Sequence, residues 1–294
     1  MICIRKTLGV WTLLYVAVAG TFVTFLSVKL WDGWSSAQEA SIIDLKVIEE
    51  KPRTLPRSSF RCKTVDLKTL KNTIKQFSRS QSQEDSFIFD SWFKGICGGT
   101  YVELGALDGV RYSNSHLYLH GFDWHGVLIE PNPDSFEALQ SNRPKDELFN
   151  HAVCSRETEV HFVRGASLAV TGVYEFMAPS FRAAWHPNLK VSKLAKIKCK
   201  PLSAILEESS LSKRHVDFLS VDVEGGEYEV LKTVDFEKHQ FGVIFYEADG
   251  HDPLKNEAIK CYLERNGYPF RVHTLRSNFH TNARWDEIYA DLLV

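Results

Sequence analysis

Several hallmarks of other protein classes are missing from this 294-residue sequence. It has six cysteines and no Cys-x-x-Cys pair, so it is neither a disulfide miniprotein nor a zinc-ribbon or thioredoxin-type protein. It also lacks an excess of charge, because 35 Lys and Arg face 37 Asp and Glu. This balance argues against a dedicated nucleic-acid binder and against an acidic disordered chain. Ordinary numbers of glycine (17) and proline (10) exclude collagen-like and low-complexity chains.

Charged residues are also absent from residues 7–28. A helix over this run would span a bilayer core of roughly 30 Å. Arg5 and Lys6 precede the run and Lys29 follows it, which by the positive-inside rule favours a cytoplasmic N-terminus. A cleaved signal peptide is the alternative, because residues 17–19 resemble a small-residue cleavage site. The apolar run continues well past that point, which favours a membrane anchor.

This interpretation divides the chain into four parts. They are a cytoplasmic N-terminus (1–6), a transmembrane signal-anchor (7–28), a stem or linker (29–80) and a compact domain (81–294). The order predicts a single-pass type II membrane protein of the endomembrane system, in the ER or Golgi, with a lumenal C-terminal domain. That compartment is oxidising, so cysteines after the anchor could form disulfides. The sequence has no Asn-x-Ser/Thr sequon, so glycosylation sites add no support for this orientation.

Strand-like and helix-like segments alternate in the second half of this layout. The predicted strands are 100–104, 126–129, 149–153, 159–163, 196–200, 216–221, 243–246 and a closing hairpin of 270–274 with 287–293. The predicted helices are 115–120, 135–141, 203–208, 226–233 and 254–266. This alternation predicts an α/β domain with a mostly parallel sheet. Parallel sheets bind ligands at the carboxyl ends of their strands, so the residues that follow the strands form the candidate site.

A glycine-containing turn follows the first predicted strand. Gly105 and Gly109, with Ala106 between them, allow a sharp turn and the close approach of a ligand. Glu103 and Asp108 add two acids to this turn. The dinucleotide-binding pattern Gly-x-Gly-x-x-Gly is absent. The position between a strand and a helix makes the turn a candidate cofactor contact, although plain packing explains many turns of this kind.

An acid also ends the second predicted strand. Glu130 is followed by Pro131 and Asn132. It lies near the spacing of about 20 residues after the glycine turn at which a carboxylate accepts the hydroxyl hydrogens of a ribose. A solvated loop acid is the alternative interpretation. Ala152 and Val153 end a later strand, where the edge of an adenine could be recognised.

A third acidic group follows the strand that ends at residue 221. Asp222 and Glu224 lie at its junction with a helix, where they could simply cap the helix N-terminus. A pyrophosphate would be repelled by Glu103, Asp108 and Asp222, whereas a cationic adenosine cofactor without phosphates would be attracted. S-adenosylmethionine (SAM) fits this description, with its sulfonium and ammonium near the acids and its ribose on Glu130.

Four stretches, taken together, resemble the FkbM family of SAM-dependent methyltransferases over residues 81–294. They are Gln83 to Phe87, Thr100 to Gly109 with Ser113-Asn114-Ser115, Gly126 to Asn132, and Asp217 to Glu227. The resemblance implies a Rossmann-like class I methyltransferase sheet of seven strands, with the last strand antiparallel, and O-methylation as the usual activity. It further implies that Asp222 lies beside the reacting centre. The candidate SAM contacts are then Glu103, Gly105, Ala106, Asp108, Gly109, Ser115, Glu130, Pro131, Asn132, Ala152, Val153 and Asp222.

Methyl transfer to a hydroxyl requires that the hydroxyl lose its proton, to a base or through a metal. The candidate bases are Asp222, Glu224, Glu247 and His251. A surface loop position is an equally good explanation of His251. No metal is expected, because acids can line a cleft simply to attract a cationic cofactor. Asp222, Glu247 and Asp249 could nevertheless hold a hard cation.

We therefore expect a SAM-dependent methyltransferase that acts on a hydroxyl of a sugar or lipid-linked acceptor in the secretory lumen. The segment 164–194, which breaks the strand–helix rhythm, is a candidate acceptor lid. The alternative is a trafficking protein, because the anchor-plus-domain plan also resembles the Star-like proteins of the insect secretory pathway. Such a protein would keep the fold without turnover and would bind secretory cargo proteins. The missing glycine pattern disfavours an NAD(P) oxidoreductase, and no nucleic-acid partner is expected.

Overall fold

The architecture comes from a computed structural model of the chain, which describes residues 55–63, 66–165, 170–248, 250–273 and 279–283. The predicted cytoplasmic N-terminus and signal-anchor lie outside the described residues. Among the helices of the described part, none has the length and apolar character needed to cross a bilayer.

The strands of the described part form three sheets, the largest of which carries the candidate site. The strands are β1 (Phe60–Arg61), β2 (Ile96–Cys97), β3 (Thr100–Leu104), β4 (His125–Ile129), β5 (Glu147–Phe149), β6 (Ala152–Val153), β7 (Thr158–Val163), β8 (Gly172–Val173), β9 (Ala195–Lys200), β10 (Val216–Val221), β11 (Phe241–Glu247), β12 (Phe270–His273) and β13 (Phe279–Ala283). The seven-stranded sheet has the spatial order β12-β13-β11-β10-β3-β4-β5.

Pairing directions in this sheet agree with the expectation. Strand β3 pairs in parallel with β4 and β10, and β10 pairs in parallel with β11. Strand β13 runs antiparallel to both of its neighbours, β11 and β12. The prediction of a mostly parallel α/β sheet with an antiparallel last strand is therefore confirmed.

The position predicted for the last strand was wrong. The strand that pairs with β12 and β11 is Phe279–Ala283, whereas the predicted segment 287–293 lies outside the described residues. The sequence pattern does not predict β13, because this strand includes the polar residues Thr281 and Asn282, both of which are fully buried. The Asn282 side chain is partly satisfied, since its amide nitrogen donates to the carbonyl oxygen of Tyr268 at 2.7 Å.

Helices cover both faces of the large sheet. They are α1 (Leu67–Phe77), α2 (Glu84–Ile88), which continues into a π-helical turn (Phe89–Phe93), α3 (His116–Phe122), α4 (Pro133–Asn142), α5 (Pro179–Trp185), α6 (Leu202–Glu208), α7 (Glu227–Leu231) and α8 (Pro253–Arg265). Helix α4 begins at Pro133, two residues before the predicted start at 135, since Asn132 accepts from the Asp134 amide and Pro133 occupies the first turn.

Two hydrophobic cores explain why four of the six residues of β10 are apolar. Successive strand side chains point to opposite faces. Leu219 and Val221 pack in one core with helices α6, α7 and α8, whereas Phe218 packs in the other with α2 and α3. The second core is aromatic, and there Phe93 contacts Trp124 with ring centroids 4.8 Å apart. A strand buried on both faces cannot alternate polar and apolar residues.

A smaller four-stranded sheet, in the order β6-β9-β7-β8, lies in the same compact unit. The sequence predicted one strand over 149–153, but the structure divides it between two sheets. Strand β5 ends the large sheet, and β6 pairs with β9 in the small one. Part of the predicted lid, 164–194, contributes β8 and α5 to this region.

Two disulfides brace the described unit. Cys62 bonds to Cys97, which joins β1 and β2, and Cys154 bonds to Cys199 behind the β6–β9 pair. Cys261 takes part in neither. Residues 55–63 and α1, which the sequence assigned to a linker, therefore pack as part of the folded unit.

Candidate active site

One cleft at the carboxyl edge of the large sheet brings most of the predicted site residues together. Counted out into the open solvent at its mouth, it has a volume of about 960 Å³. Its walls are formed by Gln81, Glu103, Leu104, Gly105, Leu107, Tyr112, Asn114, Ile129, Glu130, Pro131, His151, Ala152, Val153, Phe162, Thr171, Gly172, Val173, Phe176, Asp222, Val223, Glu224, Val230, Glu247 and Phe279.

The floor of the cleft is built around Glu103 at the end of β3. Its carboxylate accepts from the Asn114 amide at 2.7 Å and from the Ser113 hydroxyl at 3.0 Å, and it also accepts from the Ser115 hydroxyl. Burial raises the pKa of Glu103, while the nearby Arg143 guanidinium and these hydrogen bonds oppose that rise. The carboxylate therefore holds the 113–115 segment against the end of β3.

Arg143 holds the other side of the same segment. This fully buried guanidinium donates to the Ser113 and Ser115 hydroxyls at 3.2 and 2.9 Å, and to the Tyr101 hydroxyl at 2.8 Å. Asp146 accepts from its Nε at 2.7 Å and balances its charge. Nothing in the sequence distinguished Arg143, a lone arginine before a proline at the end of a helix. Together with Glu103 it fixes the loop that forms the cleft floor.

Gly105 brings the ends of two central strands into contact. It has a φ of +76°, and a Cβ on it would lie 1.9 Å from the backbone oxygen of Asp222. The Asp222 amide in turn donates to the Leu104 carbonyl at 3.3 Å. Only glycine fits this junction, because any side chain would force the β3 and β10 loops apart. The junction places the glycine turn and Asp222 in one cleft wall.

Glu130 anchors the neighbouring wall. Its two carboxylate oxygens accept from the Leu107 and Asn132 amides at 2.8 and 2.7 Å. Because only 2% of the residue is exposed, burial raises its pKa to about 8 against the lowering effect of those two hydrogen bonds. A carboxyl that accepts from two amides still has lone pairs for a hydroxyl in the cleft.

The wall beyond Glu130 is apolar and carries one imidazole. Ala152 and Val153 of β6 face the cleft with Phe162 of β7, and His151 precedes them. Burial lowers the pKa of His151, and Lys200 and Lys198 add to that effect. A slot of this kind suits a flat aromatic base with one polar edge.

Three carboxyl groups meet at the opposite end. Oxygen atoms of Asp222, Glu224 and Glu247 all lie within 4.8 Å of one another. Burial, then the charges of Glu227 and Glu103, raise the pKa of Asp222 to about 7. A hard cation could bind among three such oxygens. This set contains Glu224 where the sequence suggested Asp249, which lies outside the described residues.

Helix α7 shows that these acids are not its caps. The helix begins after Gly226, which has no side chain to act as a cap. Instead, the buried Glu227 accepts from the Val223 and Gly225 amides at 3.3 and 3.0 Å, and Lys255 donates to it at 2.7 Å. Lys255 thus balances the charge of Glu227, and the capping role suggested for Asp222 and Glu224 is taken by Glu227.

The predicted site residues fall into two sets. Those that line the cleft are Glu103, Gly105, Glu130, Pro131, Ala152, Val153, Asp222, Glu224 and Glu247. Those outside its lining are Ala106, Asp108, Gly109, Ser115, Asn132 and His251. For each residue of the first set, contact with a cofactor or acceptor stays a prediction.

The second set supports the site from behind or lies away from it. Asp108 accepts from the Val110 and Arg111 amides and so closes its own turn. Ser115 lies beneath the floor between Glu103 and Arg143, and Asn132 caps α4. His251 packs edge-on against Phe181 of α5, with ring centroids 5.3 Å apart.

Three cleft residues have a backbone conformation that the sequence did not predict. Leu107, Tyr112 and Glu224 line the cleft and all have positive φ values, of 48°, 59° and 55°. Such backbone strain in non-glycine residues concentrates at functional sites. It is invisible in the sequence, because neither leucine, tyrosine nor glutamate favours that conformation. Gln81 reaches the cleft because Asp85 accepts from Ser78, Arg79 and Ser80 and so orders the preceding turn.

Comparison with known proteins places this site in a family. No curated protein matches the chain. Among solved structures, the chain is similar to a TehB-like SAM-dependent methyltransferase from Corynebacterium glutamicum (11% identity, 68% of this chain and 86% of that one, TM-score 0.35). It is also similar to human methyltransferase 10 domain containing protein (11%, 76% and 86%, TM-score 0.34) and to a chain of a fibrillarin/Nop5p complex (13%, 64% and 73%, TM-score 0.33).

The family assignment rests on a sequence model. The methyltransferase FkbM domain model matches residues 103–270, more than half of the chain. The match begins at Glu103 on the cleft floor and ends in β12, so it covers the glycine turn, Glu130, Asp222 and Glu247. The chain belongs to the FkbM family of SAM-dependent methyltransferases.

Proposed function

We propose that this protein is a SAM-dependent O-methyltransferase that acts on a hydroxyl group in the secretory lumen. One observation carries the proposal: the Gly105 turn, Glu130 and Asp222 border a single cleft. SAM needs a close approach of the backbone, an acceptor for its ribose hydroxyls and negative charge near its sulfonium. The Gly105 turn, Glu130 and Asp222 would supply these three in turn.

The residues present fit SAM. Glu130 would receive the ribose, and the slot of Ala152, Val153 and Phe162 would receive the adenine. Glu103 and Asp222 would face the cationic end of the cofactor. When bound, SAM supplies a methyl group activated by its sulfonium. The chain's own contribution is to orient the acceptor hydroxyl and to exclude water from the cleft, which for well-oriented partners is worth up to roughly 7–11 kcal/mol.

The acceptor proton goes to a carboxylate. When the acceptor oxygen takes the methyl group that SAM would supply, leaving the electron pair on sulfur, the hydroxyl proton would pass to a carboxylate of the cleft. Asp222 is the best placed candidate, because a pKa near neutrality lets it be ionised and yet hold a proton. Glu224 and Glu247, within 4.8 Å of it, can relay that proton outward.

Placement in the lumen is supported by the cysteines. Four of the six form the two disulfides of the described unit, and disulfides persist in the secretory pathway rather than in the cytosol. This agrees with a signal-anchor at 7–28 and a type II orientation.

Calorimetry on the full-length chain in detergent micelles tests the cofactor assignment. We expect heat with SAM, weaker binding of its demethylated product because that sulfur is neutral, and no heat with NAD. Asp222→Asn is expected to weaken SAM binding by about tenfold, because one buried carboxylate, of charge opposite to the sulfonium, is lost. Glu229→Gln on the outside of α7 is the matched control. A preference for NAD, or no heat with SAM, would overturn the proposal.

Turnover needs a second measurement. Label from methyl-labelled SAM is expected to enter membrane extracts with the native chain and to fall by at least about a hundredfold with Asp222→Asn. Binding of SAM without any transfer would instead favour the alternative of a trafficking protein that keeps a silent methyltransferase fold.

A further inference from the structure

The acceptor end of the cleft has an unusual balance of charge. This end lies where β10 and β11 end and β13 begins, and its polar groups include Asp222, Glu224 and Glu247. Within the described residues, no lysine or arginine lines any part of this cleft. An anionic group brought to the reacting position would therefore meet carboxyl groups and no compensating cation.

Three basic residues of the surrounding elements have acidic partners elsewhere. Arg143 is buried beneath the floor with Asp146, Lys255 donates to Glu227, and Arg164 pairs with Asp134 at 2.9 Å. Recruiting any of them into the cleft would break these interactions. Like charges placed side by side in a partly buried site disfavour binding strongly.

The remaining surface of the acceptor end is aromatic. Tyr112, Phe176 and Phe279 line the cleft, and Tyr112 is 42% exposed, so its ring is available to a ligand. Aromatic faces contact the C–H face of a flat, uncharged ligand, while carboxylates accept from its hydroxyls. Gln81 adds a neutral amide. Neutral hydroxyl compounds satisfy both kinds of surface at once.

From this arrangement we propose that the acceptor unit is uncharged: a neutral hydroxyl-bearing group, with acidic sugars, phosphorylated or sulfated units and carboxylates excluded. The proposal rests on the proposed methyl transfer and specifies its acceptor. The carboxyl groups select by repulsion as much as by attraction.

The test uses the full-length chain, membrane extracts and methyl-labelled SAM. Labelled material is hydrolysed to its monomeric units, which are separated on anion-exchange and cation-exchange resins. A portion is first treated with mild alkali, which releases label from methyl esters as methanol. We expect alkali-stable label in the unretained, neutral pool, in excess of either retained pool by at least about tenfold.

Each other outcome contradicts the proposal. Most label on the anion-exchange resin, most label on the cation-exchange resin, or alkali-labile label would each identify an acceptor of the wrong charge. Parallel reactions with EDTA and with Mg²⁺ address the three-acid cluster, and a shift of label to the anionic pool with Mg²⁺ would also overturn the proposal. If SAM gives heat but no pool is labelled, methyl transfer itself fails, whereas an absence of SAM heat refutes the cofactor assignment.

A variant sharpens the result. Glu224→Gln removes one carboxylate from the acceptor end, and we expect the labelled share of the anionic pool to rise several-fold relative to the neutral pool. Glu229→Gln makes the same substitution on the outside of α7 and is expected to leave the distribution unchanged. Equal distributions in the two variants would show that the cleft acids do not select the acceptor.

Discussion

The floor and the acceptor end of the cleft use the same residue type in opposite ways. Glu103 on the floor is surrounded by hydrogen-bond donors, and Arg143 lies close by. Both of its carboxylate oxygens already accept hydrogen bonds from the protein. Asp222, one strand away, lies near Glu224 and Glu247 and has acids as its nearest charges. Both residues lie at the ends of strands. The contacts of Glu103 hold the loop, whereas the surroundings of Asp222 suit it to accept a proton.

The difference shows how a carboxyl group is kept functional. A satisfied buried carboxylate is structural, because any change of its protonation breaks several hydrogen bonds. Where burial and neighbouring negative charges raise the pKa of a carboxyl group toward neutrality, the group can gain and lose a proton at small cost in free energy. Three substitutions test this comparison, the first by separating the two regions.

The largest effect is expected from Gly105→Ala. The new Cβ would lie 1.9 Å from the Asp222 backbone oxygen and would require a φ of +76°. Relief of that clash must push the β3 and β10 loops apart, which we expect to cost about 3 kcal/mol or more and to abolish SAM binding. Thermal unfolding and calorimetry measure the two effects.

Gly250→Ala is the matched control, because a Cβ there meets nothing within 4 Å. It should leave both the melting temperature and SAM binding unchanged. If Gly105→Ala behaves like Gly250→Ala, the floor and the acceptor end are not joined at this junction.

Arg143→Met removes the charge partner of the floor and is expected to rank second. Asp146, Ser113 and Ser115 would lose a buried donor, and Glu103 would come to resemble Asp222 in having no cation near it. We expect a loss of about 3–5 kcal/mol in the free energy of unfolding. Chemical denaturation of this variant beside Arg164→Met, an exposed ion pair worth at most about 1 kcal/mol, provides the measurement. Equal losses of stability in the two variants would show that the buried Arg143 network stabilises the fold no more than an exposed ion pair does.

The smallest effect concerns pH. An unfolded glutamate titrates near 4.5, and burial raises the pKa of Glu130 to about 8 in the folded chain. Between these values the folded state keeps a proton that the unfolded state has lost, so stability falls as pH rises. Without SAM, we expect a loss of about 2 kcal/mol between about pH 6 and about pH 8.

Glu130→Gln should flatten this slope, while Glu229→Gln should keep it. The slope is the useful readout, because glutamine also loses one of the two amide hydrogen bonds and lowers stability at every pH. Asp222 contributes a slope of the same sign, so the flattening is expected to be partial. An unchanged slope would show that Glu130 is ionised like an exposed acid.

The sequence predicted the framework of this site well, for a physical reason. Strand β10 was placed at residues 216–221, as observed, because four of its six residues are apolar, as expected of a strand that is buried on both faces. Glu130 and Asp222 were expected to share a hollow, and they do, because the carboxyl ends of neighbouring parallel strands meet at one edge.

What the sequence missed depends on contacts between distant segments. Arg143 has no local signal, and its role exists only because residues 101, 113, 115 and 146 converge on it. Asp108 was predicted to contact the cofactor, and the sequence did not indicate that one of its carboxylate oxygens accepts from two amides of its own turn. The polar strand β13 was overlooked because its buried amide finds a partner in Tyr268 only after folding.

The pairing of β3 with β10 also governs when this enzyme can mature during synthesis. The glycine turn leaves the ribosome first, but the strand that completes its junction is more than a hundred residues further along. Until β10 is synthesised, β3 lacks its neighbour at the centre of the sheet. Pairing between strands so distant in sequence slows folding. A nascent chain that stops before β10 would leave one edge of β3 unpaired, and an unpaired strand edge of this kind promotes aggregation.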